Sequence, residues 1–368
     1  MKNSHSRLSK VIAIVLTLVM LIGIVPVSAA TPIGSSDQGD GTYTNPFIWA
    51  DVPDLDIIRV GDTYWMSSTT MHMSPGVPIM KSYDLVNWET VSYCYYALED
   101  MDSMKLQTGN NMYGNGTWAS SLRYKDGTFY LVVPSATSGK TYIFQTEDPE
   151  NQAWRRYEIN QRFHDCSLLL DDDGRNWLFY GSGQLIELNS DVTGLKEGAR
   201  SIKVMDSLHA PDPVTGITPT SGLNEGAHIM KINGKYYIFG ITWPSGKPRT
   251  QVCHIADEIT GPYRSRVVGQ EDVRYGNSGG GPAQGAIVDD GNGNWYGFNF
   301  RDSGSVGRIP WLMPITWDGE WPMFGQDEDG NPSYTGLARE GAIPMTGFET
   351  TSIVTSDEFY NNEERPVY

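Results

Sequence analysis

Five times along the chain an apolar run leads into a turn of Gly with Asp or Asn, and an aromatic-rich run follows. The copies are Ile57–Trp65, Leu122–Tyr130, Leu168–Leu178, Ile229–Ile238 and Ala286–Tyr296. Their turn glycines are Gly61, Gly127, Gly174, Gly234 and Gly293, and the third residue after each is aromatic: Tyr64, Tyr130, Trp177, Tyr237 and Tyr296. Asp-Gly and Asn-Gly between apolar runs signal tight hairpins, because such turns demand positive φ. The glycines are 66, 47, 60 and 59 residues apart. Four short strands with their loops fill such an interval, which is the size of one propeller blade. The pattern predicts an all-β chain folded as a five-bladed β-propeller. A two-sheet sandwich would not repeat one hairpin at a near-constant interval, and no long helical periodicity competes.

The ends read differently. Lys2, Arg7 and Lys10 precede an apolar run from Val11 to Val25, and Val27-Ser28-Ala29 has small residues where a signal peptidase cuts. Residues 1–29 are therefore expected to be a signal peptide and the protein to be secreted, with no membrane attachment after cleavage. At about fifteen residues the run is short for a bilayer span, which takes roughly 20. Residues 30–42 read as a flexible lead-in and 43–325 as the propeller. Residues 326–368 read as a linker or tail, too short for a core of their own. The formal charge is −17, and it becomes about −20 when the three basic residues of the leader are removed. That excess argues against a nucleic-acid partner, which calls for a basic surface. Three cysteines, Cys94, Cys166 and Cys253, cannot form a disulfide framework, and buried packing is expected for them.

Candidate chemistry follows from the repeat. The first strand of each propeller blade lines the central channel, so equivalent positions converge there. Nine residues before Gly127, Gly174, Gly234 and Gly293 stand Trp118, Asp165, Glu225 and Gln284; Asp54 lies seven before Gly61. Three carboxylates in one register suit glycoside hydrolysis: an acid for the leaving oxygen, a base for water, and a third group that holds the acid's proton. Trp49, Trp65, Trp118 and Trp243 are candidates for stacking on sugar faces, with packing between blades the alternative for each.

These segments resemble glycoside hydrolase family 43, five-bladed propeller enzymes acting on β-xylosides and α-L-arabinofuranosides. Val52-Pro53-Asp54 through Tyr64 is similar to the family's first-blade motif, Phe163-His164-Asp165-Cys166-Ser167 to the segment of its pKa-modulating Asp, and Asn224-Glu225-Gly226 to that of its acid. Ser82–Trp88 and Trp118-Ala119 fit as well. The resemblance implies Asp54 as general base, Glu225 as general acid and Asp165 as modulator. Arg308, in Gly307-Arg308 ahead of Trp311–Trp317, would bind the sugar. The channel register adds Trp118 and Gln284 at the substrate, and His228, three residues after Glu225, is expected at the channel, with a structural hydrogen bond the alternative. The resemblance implies an inverting hydrolase of xylan or arabinoxylan, whose partner is a plant cell-wall oligo- or polysaccharide. Ser356-Asp357-Glu358-Phe359 resembles the opening of a β-sandwich that follows the propeller in some relatives, which implies a missing C-terminal domain.

The chain also departs from the family. Asp56 adds a carboxylate two residues after Asp54, on the same face by strand alternation. Many relatives carry a His at or beside the fifth-blade channel position, sometimes with a bound cation; Pro282-Ala283-Gln284-Gly285 has none. No cofactor is expected to be required, no metal ligand is assigned, and a structural calcium in the channel has little support. Gly276-Asn277-Ser278-Gly279-Gly280 matches a nucleophile elbow but sits in a glycine-rich run without the strand-to-helix context. Asp290–Asn294 mimics the start of a calcium loop, with Trp295 and Arg301 where Gly and Glu belong. Two other readings stand beside the hydrolase: an inactive carbohydrate-binding propeller and a retaining glycosidase of another five-bladed family.

Overall fold

A computed structural model describes residues 36–344 apart from 273, 276, 277 and 280. The leader at 1–29, the Ser356–Phe359 segment and part of the Gly276–Gly280 motif lie outside these residues. Described elements are almost wholly strands, arranged as five radial sheets. Blade one comprises Asp56–Val60, Thr63–Ser67, Gly76–Ser82 and Glu89–Tyr95. Blade two comprises Ser121–Lys125, Thr128–Pro134, Thr141–Thr146 and Arg155–Ile159. Blade three runs through Ser167–Leu170, Asn176–Tyr180, Gln184–Leu188 and Ile202–Lys203. Gly222–Ile232, Lys235–Pro244, Thr250–Ala256 and Arg264–Gln270 form blade four. Blade five has three strands, Ala283–Asp289, Trp295–Asp302 and Arg308–Pro314. The fold is the predicted five-bladed propeller.

The hairpin turns are where the repeat places them, and all five turn glycines have positive φ. Asp126 and Asn233, each preceding its glycine, also have positive φ (50° both), so these two-residue turns take the primed geometry that matches strand twist. The core lies between blades, not within one sheet. Trp65 meets Phe129 edge-on at 5.1 Å between blades one and two, and similar clusters fill the later clefts. Cys94, Cys166 and Cys253 are free and buried in this packing.

A second repeat stitches the inner strands together. The Asp56 carboxylate accepts from Leu122 N (2.9 Å), Ser121 Oγ accepts from Leu168 N (3.0 Å), and Ser167 Oγ accepts from Ile229 N (3.0 Å). Each bond runs from one blade to the next and satisfies a buried backbone donor. In the channel itself lies the guanidinium of Arg123. It donates to Asp56 (2.6 Å), Ser167 Oγ (3.1 Å) and Ile229 O (3.0 Å), so one cation joins blade two to blades one, three and four.

The ring closes through the N-terminal segment. Phe47 N donates to Pro310 O (3.1 Å), Val52 N to Arg308 O (2.9 Å), and the Asn45 side chain both donates to and accepts from Leu312, so residues 45–52 line the open edge of blade five. Thr42–Thr44, read from sequence as the end of a flexible lead-in and the start of the propeller, pairs with Glu340–Ala342. Gly325–Gln326 pairs with Pro332–Ser333, so the segment read as a linker begins as a small hairpin.

Candidate active site

One end of the channel opens into a cavity of about 320 Å³ lined by Asp54, Trp118, Asp165, Glu225, Gln284 and Arg308, among others. Six of the seven site residues expected from sequence therefore meet in one place. Local backbone explains how. Asp54, Asp165 and Gln284 adopt φ of +52°, +43° and +34°, and Glu225 precedes Gly226 at +70°. The strand pairing is irregular between Glu225 and His228 and again between Ala283 and Ala286. A left-handed residue or bulge at the mouth of the inner strand turns the side chain into the channel instead of along the alternation. Gln284 also packs its Cγ where a Cβ on Gly226 would come within 2.9 Å, so glycine is required beside Glu225.

His228 is the exception. It is buried beneath the cavity and is not among its lining residues; its Nδ1 lies 3.3 Å from Asp56. The bulge after Glu225 places it within the blade-joining cluster, outside the cavity lining. Asp56 belongs to the same cluster. Burial pushes its carboxyl up, but Arg123 and His228 outweigh this and hold it down at about 2. The two neighbouring carboxylates thus separate by place, Asp54 in the cavity and Asp56 in the framework. Of the four tryptophans, Trp118 and Trp243 line the cavity, Trp65 is core, and Trp49 is outside the lining set.

The electrostatics divide the carboxyls. Asp54 is buried, and burial raises it above the usual carboxylate range, helped by the Glu225 and Asp51 charges. Opposing this, Arg308 Nη1 donates to Asp54 Oδ1 at 2.8 Å and stabilises the ionised form. Arg308 is itself placed by the Phe300 ring, 4.8 Å away, and by its own backbone N–H on Asp51 (2.6 Å). Asp165, also buried, is pushed up to about 7, first by desolvation and then by Glu225 and Asp54, against the pull of His164 and of the Gly226 N–H that donates to it at 3.1 Å.

Two titratable lining residues, Arg249 and His164, carry no role in the sequence reading. Arg249 is buried, donates through Nε and Nη2 to Gly281 O and pairs with Asp302 at 2.7 Å. It immediately precedes the third strand of blade four, outside any repeat register that marks the channel. His164 donates or accepts at 3.1 Å with Glu225 and lies 3.6 Å from Asp165. Its signal was adjacency to a channel carboxylate.

The residues at channel depth fit a calcium ion poorly. Calcium takes six to eight oxygens, whereas the fifth blade offers Gln284 and the centre holds the Arg123 guanidinium, already bonded to Asp56. The Arg123 guanidinium already supplies the positive charge that faces the Asp56 carboxylate. At the cavity, potential ligand atoms of His164, Asp165 and Glu225 lie within 4.8 Å of one another. Their mutual contact already engages the His164 and Glu225 atoms.

The model of glycosyl hydrolases family 43 matches residues 43–322, the whole propeller. The chain belongs to this family. It is 29% identical over 351 residues to a beta-xylosidase of Formosa agariphila, covering 88% of this chain and 57% of that one. A non-reducing end alpha-L-arabinofuranosidase of Bacteroides ovatus is 27% identical over 78% of this chain and 54% of its own. Among solved structures, the "Bifunctional GH43-CE" protein of Bacteroides eggerthii is 44% identical with a TM-score of 0.75, covering 88% of this chain and 40% of that one. This family 43 chain thus spans little more than half the length of the curated relatives it matches.

Proposed function

We propose that the chain is a secreted, inverting glycosidase of β-D-xylosidic or α-L-arabinofuranosidic bonds in hemicellulose. One observation carries the reading: Asp54, Asp165 and Glu225, from three blades, line a single cavity in which only Asp54 is clamped by a guanidinium. A base must be ionised when water is attacked, and Arg308 favours that state. An acid must hold its proton, and beside Glu225 the buried Asp165 is pushed up to about 7, first by desolvation and then by the charges of Glu225 and Asp54. In this mechanism Asp54 takes a proton from water as it attacks the anomeric carbon, and Glu225 gives one to the departing oxygen. Asp165 stands beside Glu225 as the modulating carboxyl and accepts from Gly226 N–H next to it. Trp118 and Trp243 offer apolar faces to the sugar, and Gln284 a neutral amide. All of these groups belong to the chain, and the reaction as written calls on no cofactor.

A panel of aryl β-xyloside, aryl α-L-arabinofuranoside, arabinoxylan and linear arabinan tests the reading. Release of sugar from the xyloside, arabinofuranoside or arabinoxylan is expected; wild-type protein inert on all four contradicts it and favours the binding-propeller alternative. Glu225→Ala should lose about 10²-fold or more on unactivated glycosides and much less on aryl substrates whose leaving groups need no proton. Equal losses would remove Glu225 from the acid role. Export rests on the basic–apolar–small pattern of residues 1–29, and N-terminal sequencing of protein from the culture medium should begin just after Ala29.

A further inference from the structure

Among its described side-chain hydrogen bonds, the proposed acid has one partner. His164 Nε2 stands 3.1 Å from Glu225 Oε2. Glu225 is 30% exposed in its side chain, so without that contact a flexible carboxyl at the cavity wall would sample several rotamers. The imidazole is well placed to hold it. Its ring meets Trp118 edge-on at 5.4 Å, its backbone C=O accepts from Gly181 N at 2.8 Å, and Asp165 Oδ1 lies 3.6 Å from Nδ1. That last distance is too long for a hydrogen bond but close for a charge.

We infer that His164 is a positioning residue for Glu225: its Nε2–H anchors Oε2, leaving Oε1 as the oxygen that presents the catalytic proton to the leaving group. The inference rests on the acid role of Glu225 proposed above. The charged groups facing His164 are Glu225 from blade four, Asp165 beside it, and Arg162 two residues back, whose guanidinium also lies over Trp118 at 5.4 Å. The hydrogen bond to Glu225 raises the imidazole, burial and Arg162 oppose this, and Asp165 adds to it, so on balance the cation is held more firmly than in a free imidazole. An imidazolium between two carboxyls also limits the negative charge that three crowded acids would otherwise build up.

The test compares wild type with His164→Ala and His164→Gln on an aryl glycoside and an unactivated oligosaccharide of the same sugar. Ala should lower kcat on the oligosaccharide by about tenfold or more while changing KM and aryl-glycoside kcat little. Gln, which donates an N–H but cannot ionise, should recover part of that kcat. In the Gln variant the alkaline limb of kcat/KM should move up by about one pH unit, because a neighbouring cation that favoured proton loss has gone. Equal loss on both substrates, an effect confined to KM, or a Gln variant with neither rescue nor a moved limb overturns the inference while the enzyme reading stands. If wild type cleaves neither substrate, the functional reading fails and this inference with it.

Discussion

At the scale of single residues, two aspartates two positions apart do opposite work. Asp54 sits on a left-handed backbone in the cavity; Asp56, on the regular strand, is paired with Arg123 and hydrogen-bonded by Leu122 N. Asp54→Asn should cost about 10³-fold in kcat on activated and unactivated substrates alike, since both need water deprotonated, and should not lower the melting temperature. Asp56→Ala leaves Arg123 buried without its counter-ion, a change worth about 3–5 kcal/mol, and should lower the melting temperature by several degrees. Paired kinetics and calorimetry on the two variants check this; the reverse pattern would exchange the roles. Sequence made Asp54 legible through its register before Gly61. Strand alternation, by contrast, put both on one face, and only the positive φ at Asp54 resolves them. His228 was misplaced for a related reason: counting three residues from Glu225 ignores the extra residue of the bulge between them.

Blades were readable because each is announced by a turn whose φ demands Gly, Asn or Asp. What joins blades was not readable. The bonds from Asp56, Ser121 and Ser167 to the next inner strand use ordinary residues, and the reach of Arg123 across the channel depends on a closure that local pattern does not encode. Nor did the hairpin count reveal that blade five stops at three strands and borrows residues 45–52 for its edge. The Arg123 cluster predicts that the chain needs no channel cation for stability. A chelator such as EDTA should leave the melting temperature of the wild type unchanged, whereas Arg123→Met, which keeps bulk but takes the guanidinium from Asp56, should lower it by several degrees. A wild type destabilised by EDTA would contradict this account of the channel.

Across the whole molecule, acid should act on stability through buried groups as well as on rate. His254 is buried in blade four with Nδ1 2.7 Å from Ser265 Oγ, and burial drives its imidazole down to about 4. Its folded value lies below its unfolded one of about 6.5, so its contribution is complete above pH 6.5 and is lost as pH falls toward 4. Thermal midpoints should decline across that window, and less steeply in His254→Asn. Activity should fall on the alkaline side of about pH 7, where the Asp165 group loses its proton. The central claim, however, is the division of labour between Asp54 on water and Glu225 on the leaving oxygen, and the stereochemistry of the first-formed product reports it. Proton NMR of fresh hydrolysate should show α-xylose first from a β-xyloside, or β-L-arabinofuranose first from an α-L-arabinofuranoside, before mutarotation. Initial release of the substrate's own anomer would mean a covalent intermediate, and would contradict the assignment of Asp54 as a base.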